Sequence, residues 1–302
     1  MKARSHRFGR PAIAMLLMAV AVPVRSQSPQ PADWKDPSVH VQRFVTTKLT
    51  ADFHVYGITR RGFGESGYAP PAAGGDTYGD DVLAVLDALK LEKPVLVGHS
   101  IGGQELSSVA TRYPTRVVAL VYLDAAYPYA FDNGKGPTMN DFQGLHGPQP
   151  PPPGDADLAS VNALRQYLVR VQGVASPEAE IRQQRTIGPD GHVGKQRNFP
   201  GYATLLSGMK QYVDIRVPAL VLVAQPHGLG RWLDSSTDPA VHAQATAFTA
   251  ALSALTTRQM QIVAALAPTA RIVTLPGADH YVYLSHEADV LREMRRFLGA
   301  VR

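Results

Sequence analysis

The chain has 302 residues, 45% of them apolar, no Cys, and a formal net charge of +5. That length and apolar share suffice for one large core with an inserted subdomain, and the lack of Cys excludes disulfides, thiol catalysis and thiolate metal sites. The charge is concentrated at the start. Lys2, Arg4, Arg7, Arg10 and Arg25 meet no acidic residue within positions 1–26, so the rest of the chain is close to neutral. It has no electrostatic reason to seek nucleic acid or an anionic membrane.

Residues 1–26 run from a basic start through the apolar stretch Ala12–Val24 to the small residues Val24 and Ser26. This is the order of a secretory signal, and the stretch is too short for a spanning helix. The expectation is a periplasmic or secreted protein beginning near Gln27, with no membrane association after cleavage. An uncleaved signal anchor is the alternative, and the missing Cys excludes a lipoprotein anchor. Gln27 to Ser38 is polar and proline-bearing, a tether.

Val39, Val41 and Val45 alternate with polar neighbours and predict a short strand. Phe53–Ile58 predicts a second, emptying into the loop Arg60-Arg61-Gly62-Phe63-Gly64-Glu65-Ser66. A helix follows over Tyr78–Leu91, capped by Asp76 or Thr77, with Val82, Val85, Leu86 and Leu89 on one face. Pro94–Val97 and Val117–Leu123 are uniformly apolar, as strands buried on both faces are. The helix Ile101–Tyr113 lies between them and stops at Pro114.

Strand and helix thus alternate with short links, which implies right-handed crossovers and a parallel sheet. The rhythm stops over 125–215. Leu158, Val161, Leu164, Leu168 and Val171 mark an amphipathic helix, and Ser176 before Pro177 marks the start of another. Strands return at Ala219–Val223 and Ala270–Leu275, separated by a long helix over Pro239–Leu266. A closing helix begins at Ser285. The fold class is α/β, a mostly parallel sheet flanked by helices. The core is expected over 39–124 and 216–302, with a helical cap over 125–215.

The chemistry centres on Gly98-His99-Ser100-Ile101-Gly102. A strand precedes it and a helix follows, which is the setting of a nucleophile elbow. There a sharp turn lifts the serine hydroxyl above the sheet edge, and only glycines fit beside it. The backbone N–H of Ile101, at the helix start, then faces the oxyanion of an attacked carbonyl. A serine needs a base. His280 follows the last strand through Leu275-Pro276-Gly277-Ala278-Asp279 and leaves the same sheet edge, so it is the candidate. His286 is the rival, placed beyond the expected cap Ser285 and facing solvent. His99, beside the nucleophile, is expected to line the substrate pocket. Glu105, one turn past the nucleophile, is expected to be structural. No metal-ligand spacing, phosphate loop or dinucleotide fingerprint is present, so no cofactor and no metal is implied.

Gly-His-Ser-Ile-Gly-Gly, the Arg-Arg-Gly-Phe-Gly-Glu-Ser loop, the helical insertion and the late Pro-Gly-Ala-Asp-His together resemble the capped α/β-hydrolases from Phe53 onward. In most of that family the triad acid follows the strand after the cap. Here that segment, Ala224-Gln225-Pro226-His227-Gly228, has no carboxylate, and the first acid beyond it is Asp234. Asp124, at the end of Val117–Leu123, is the candidate instead. Certain haloalkane dehalogenases carry the acid there, although their nucleophile is an aspartate. Asp234 and Asp238 are the reserves.

The resemblance implies a serine hydrolase acting on a small ester-like molecule through Ser100, His280 and Asp124. The other readings are an inactive binding protein of this fold and a cofactor-free lyase or perhydrolase. The resemblance also exposes a gap. In the family an early strand lies between the strands corresponding to Phe53 and Val95 and leads into a His-Gly-type loop that supplies a second oxyanion donor. No such strand or loop occurs in Val39–Lys48, and the junction near Val45-Thr46-Thr47 looks like the site of a loss. The expectation is a shortened sheet or an unusual pairing of Val39–Val45, with impaired turnover or marginal folding, unless the cap or the Arg60–Ser66 loop supplies a replacement N–H. The sequence does not fix an oligomeric state.

Overall fold

Apolar runs whose side chains alternate between two faces build the central sheet. The computed structural model describes residues 18–23, 41–42, 48–49, 52–62, 66, 74–197 and 209–301. The expected tether, the Val45-Thr46-Thr47 junction and Phe63-Gly64-Glu65 lie outside those residues. Strands β1 (Met18–Pro23), β2 (Val41–Gln42), β3 (Phe53–Ile58), β4 (Val95–His99), β5 (Ala119–Leu123), β8 (Ala219–Ala224) and β9 (Ala270–Leu275) form one sheet. Their order is β2-β3-β1-β4-β5-β8-β9. Strands β4, β5, β8 and β9 are parallel neighbours in register.

The alternation decides which helix covers which face. Leu96, Leu120, Tyr122, Val221 and Val223 point into one cluster. It is closed by helices α1 (Gly74–Ala88), α2 (Gly103–Arg112) and α7 (Pro239–Leu266), through residues such as Leu86, Leu106 and Val263. Val95, Val97, Val121, Leu220 and Leu222 point the other way. There Val290, Met294 and Phe297 of helix α9 (Glu287–Ala300) cover them. A strand buried on both faces reads as a nearly continuous apolar run, and β4, β5 and β8 are buried throughout.

The insertion has its own small core. Val161, Leu164, Tyr167 and Val171 of helix α5 (Val161–Gln172) pack with Ile181 of helix α6 (Glu178–Gln184) and with Val193. Ser160 caps α5 by accepting from the Ala163 N–H, and Gly173 ends it at φ +86°. Two short helices, α3 (Met139–Gln143) and α4 (Asp155–Leu158), precede it. The insertion also holds a hairpin, β6 (Arg185–Ile187) with β7 (Val193–Gln196). Among the described residues no helix is long and apolar enough to cross a membrane.

Several sequence expectations need correction. Asp76 does not cap α1. It sits in the first turn and accepts from Ser108 and Tyr212, which tie α1 to its neighbours. Ser176 caps nothing, because Pro177 takes the position before α6 without a side-chain bond. Ser285 ends the short helix α8 (Val282–Ser285), and His286 precedes α9. Of the expected strand Val39–Val45, Val41–Gln42 pairs antiparallel with β3 at the sheet margin.

The gap between β3 and β4 is not left open. Residues Met18–Pro23, expected to belong to a removed leader, occupy it as β1 and pair antiparallel with both neighbours. The sheet is therefore not shortened there.

Candidate active site

Strand β4 runs straight into a 3-10 turn, Ser100–Gly102, and then into α2. Ser100 takes φ +53°, in the left-handed region. That conformation costs a serine about 1–3 kcal/mol and persists only where the surroundings impose it. The glycines explain how they do so. A Cβ on Gly98 would stand 2.9 Å from the Gly102 carbonyl oxygen, and one on Gly103 would stand 1.9 Å from that of Ala125. The elbow is thus clamped against itself and against the loop leaving β5. Sequence reasoning singled out Gly98 and Gly102 and missed Gly103, whose constraint comes from a contact distant in sequence.

The parallel strands bring their C-terminal ends to one edge, and three side chains meet there. Ser100 Oγ lies 2.9 Å from His280 Nε2, and His280 Nδ1 lies 2.7 Å from Asp124 Oδ2. His280 stays partly open to solvent, while the Asp124 side chain has no exposure. Asp124 is also left-handed, at φ +46°. Its Oδ1 accepts from the Ala224 N–H at 3.0 Å and from the Tyr127 hydroxyl at 3.1 Å.

Burial alone would push the Asp124 carboxyl up. The hydrogen bond and charge of His280, the charge of His227 and the Ala224 N–H outweigh it, and the group is held below the ordinary carboxylate value. Tyr127 moves the opposite way. Burial first, and then the Asp124 charge, hold its hydroxyl well above the usual phenol range, so it stays a donor. Tyr127 and Ala224 were not foreseen, although Tyr127 is only three residues past Asp124.

His99 does not line a pocket. It is wholly buried. Its Nε2–H donates to the His280 carbonyl at 2.8 Å, and its ring packs against those of His280 and Tyr281 at 4.6 and 5.2 Å. It fixes the backbone of the His280 loop. The rival His286 is half-buried rather than solvated, and its Nδ1 is 3.3 Å from Ser285 Oγ. Asp234 closes the short turn Arg231–Leu233, and Asp238 caps α7 through the Ala240 N–H. Neither reserve acid reaches His280 among the described contacts.

Glu105 is buried in an ion pair with Arg60, whose Nε lies 2.5 Å away. Arg60 also stands 5.2 Å over the Tyr78 ring. Burial pushes the Glu105 carboxyl up, and Arg60 pulls it partly back. The pair joins the end of β3 to the first turn of α2 and so braces the elbow from behind. Ile101 is the second residue of the turn at Ser100, where N–H groups have no acceptor within the helix. Its N–H is therefore available beside Ser100. A cleft of about 480 Å³ opens nearby, lined by Pro226, Leu233 and the first half of α7, but it includes none of the three converging residues.

The Alpha/beta hydrolase family model matches residues 26–293. The 2-(acetamidomethylene)succinate hydrolase of Mesorhizobium japonicum is 23% identical over 260 residues, 84% of this chain and 81% of that protein. A bifunctional esterase/perhydrolase of Acinetobacter calcoaceticus is 40% identical over 80 residues, 26% of this chain and 29% of that protein. The chain thus spans less than a third of that second relative. Among solved structures, an E-2-(acetamidomethylene)succinate hydrolase superposes with a TM-score of 0.53 at 20% identity, covering 83% of this chain and 84% of that one. A marine microorganism esterase does so with a TM-score of 0.50 at 18% identity, covering 83% and 87%. At such identities the structural likeness speaks to the fold alone.

Proposed function

This chain belongs to the alpha/beta hydrolase family, and from that premise we propose that it is a serine hydrolase cleaving an ester-type bond in a small molecule. Ser100 is the nucleophile, His280 the general base and Asp124 the acid behind it. The observation that carries this reading is the continuous relay of 2.9 and 2.7 Å from Ser100 through His280 to a buried carboxylate.

Ser100 Oγ attacks the carbonyl carbon while His280 Nε2 takes its proton. The charge that develops on the carbonyl oxygen faces the Ile101 N–H. His280 returns the proton to the leaving alcohol, the C–O bond breaks, and an acyl-Ser100 remains. Water then attacks the acyl carbon and gives a proton to His280, which passes it to Ser100 Oγ as the acyl–Oγ bond breaks and the acid leaves. Asp124 keeps the His280 proton on Nδ1 and stabilises the imidazolium that forms. Tyr127 and Ala224 hold the carboxylate so that Oδ2 faces His280.

Perhydrolysis is a second outcome of the same relay, with hydrogen peroxide in place of water at the acyl-enzyme. The Acinetobacter relative is a bifunctional esterase/perhydrolase. A binding protein without turnover has less support, because two residues held at positive φ are a cost that binding alone does not require.

Export is proposed on the basic, apolar, small order of residues 1–26. The same segment supplies β1 in the folded chain, so cleavage near Gln27 gives a protein whose sheet lacks that strand. Mass spectrometry of the purified native protein distinguishes the two starts.

Fluorophosphonate labelling followed by an ester turnover assay tests the function. The expected result is one label on Ser100 and turnover of p-nitrophenyl acetate, both abolished in Ser100→Ala. Turnover that persists in Ser100→Ala would overturn the assignment, and neither label nor turnover would favour the binding reading.

A further inference from the structure

In most of the family the loop after β8 carries the triad acid, and here it carries His227. Its Nδ1 is 2.7 Å from the Gly228 carbonyl oxygen. A carbonyl only accepts, so Nδ1 holds the proton and Nε2 is left with a free lone pair. One ligand atom from each of Asp124, His227 and His280 falls within 4.8 Å of the other two. Asp124 is buried, while both imidazoles are partly exposed and give an approach from solvent.

Two imidazole nitrogens and a carboxylate oxygen make a donor set suited to a borderline divalent ion such as Zn²⁺. Water can take the fourth position. The Nδ1–H of His227 on a backbone carbonyl is the outer contact that orients a metal-binding imidazole. Three residues far apart in the chain thus supply a set that no spacing in the sequence displays.

We propose that Asp124, His227 and His280 form a Zn²⁺ site whose occupation switches the hydrolase off. The inhibitory half of this inference rests on the proposed triad. Zn–N and Zn–O bonds of about 2.0–2.2 Å at tetrahedral angles separate donor atoms by roughly 3.4 Å. The 2.7 Å His280–Asp124 hydrogen bond must open, and the longer separations must close, by side-chain rotation alone. On binding, His280 Nδ1 gives its lone pair to the metal. The neutral ring keeps one proton, but that proton now sits on Nε2, facing Ser100. With Nε2 protonated, Ser100 has no base. No redox step and no covalent bond to carbon is involved, so a chelator restores the starting tautomer.

Zinc chloride is titrated calorimetrically into the chelator-treated full chain and into its Ser100→Ala variant. In parallel, p-nitrophenyl acetate turnover is followed with and without zinc. The expected result is one Zn²⁺ per chain in both proteins, with half-inhibition at the dissociation constant and full recovery on adding EDTA. His227→Ala should weaken Zn²⁺ binding at least about tenfold and shift the inhibition curve equally, relative to its own metal-free rate. His192→Ala, on the cap hairpin, should leave binding unchanged. Equal Zn²⁺ affinity in His227→Ala and the parent, or no stoichiometric binding at all, would overturn the site. Stoichiometric binding lost in His227→Ala, with no ester turnover in any protein, would keep the metal site and overturn the hydrolase reading together with the inhibitory role.

Discussion

Replacing Asp124 with Asn is the sharpest perturbation of the relay, because the two carboxylate oxygens already have fixed donors. Oδ1 takes the Ala224 N–H and the Tyr127 hydroxyl, and Oδ2 takes His280 Nδ1. An amide can satisfy one side only. With its oxygen toward His280, its NH₂ meets the Ala224 N–H donor to donor and leaves that buried N–H unpaired, at about 1–3 kcal/mol. With its oxygen toward Ala224 and Tyr127, its NH₂ faces His280 and pairs well only if the ring moves its proton to Nε2. The comfortable arrangement is therefore the inactive tautomer. The expected result is a fall in kcat of about 10⁴-fold with KM little changed and Tm within a few degrees of the parent. The assay is p-nitrophenyl acetate hydrolysis at saturating substrate, with Asp234→Asn as the control that retains the parental rate. Activity in Asp124→Asn within tenfold of the parent, or loss of activity in Asp234→Asn instead, would refute the reasoning.

Gly103→Ala puts a methyl group 1.9 Å from the Ala125 carbonyl oxygen. The elbow must then shift by about 1 Å away from the Asp124 loop, and kcat should fall roughly 100-fold in a protein that still melts cooperatively. Burial raises the Glu180 carboxyl from 4.5 to about 7, so its protonated form favours the folded state. That stability is fully present below pH 4.5 and is lost as the pH rises through 7. Glu180→Gln should flatten this decline by about 3 kcal/mol, read as Tm against pH. Removing residues 1–26 takes away β1 and its ladders to β3 and β4. At about 1 kcal/mol net per ladder bond and roughly 2–4 °C per kcal/mol, Tm of the 27–302 chain should lie about 10 °C or more below that of the full chain. With Ile101 as the one N–H identified for the oxyanion, kcat/KM for simple esters should stay below about 10⁴ M⁻¹s⁻¹, and a steady-state rate above that would remove the impairment.

Much of this architecture is legible because β4, β5 and β8 are buried along their whole length and so read as nearly continuous apolar runs. Phe53–Ile58, Ala270–Leu275 and the helix Pro239–Leu266 fall where the apolar runs and caps put them. Strand polarity is the reason Ser100, Asp124 and His280 could be named together, since parallel strands deliver their ends to one edge. Contacts between segments distant in the chain leave no such trace. The pressure of Ala125 on Gly103, the bond from His99 to the His280 carbonyl and the approach of His227 to Asp124 all belong to this kind. The hairpin β6–β7 was missed because its strands are short and Val193 is their only buried residue. β1 was missed for a different reason. A leader core and a doubly buried strand have the same apolar composition, and the basic start and the small residues Val24 and Ser26 pointed to the leader.

The direction of β1 bears on the chemistry more than its presence does. Met18 pairs with Gly98 and Ile58, and Pro23 pairs with Phe53. The strand therefore begins at the edge where Ser100 sits and runs away from it. In the related fold the strand in this slot runs toward that edge, and the loop leaving it brings a backbone N–H to the oxyanion. Reversal keeps the hydrogen-bond ladders, because a strand can pair in either sense, but it puts the last residue of the strand, Pro23, at the opposite edge. The family match begins at residue 26, so this strand also stands outside the part of the chain that resembles the family. The slot is filled for the ladders on both sides, and among the described residues β1 ends at the edge away from Ser100. Stability and turnover are therefore expected to separate in this protein: substitutions within Met18–Pro23 should lower Tm and leave the turnover of p-nitrophenyl acetate by the folded protein unchanged, because β1 carries no residue of the relay.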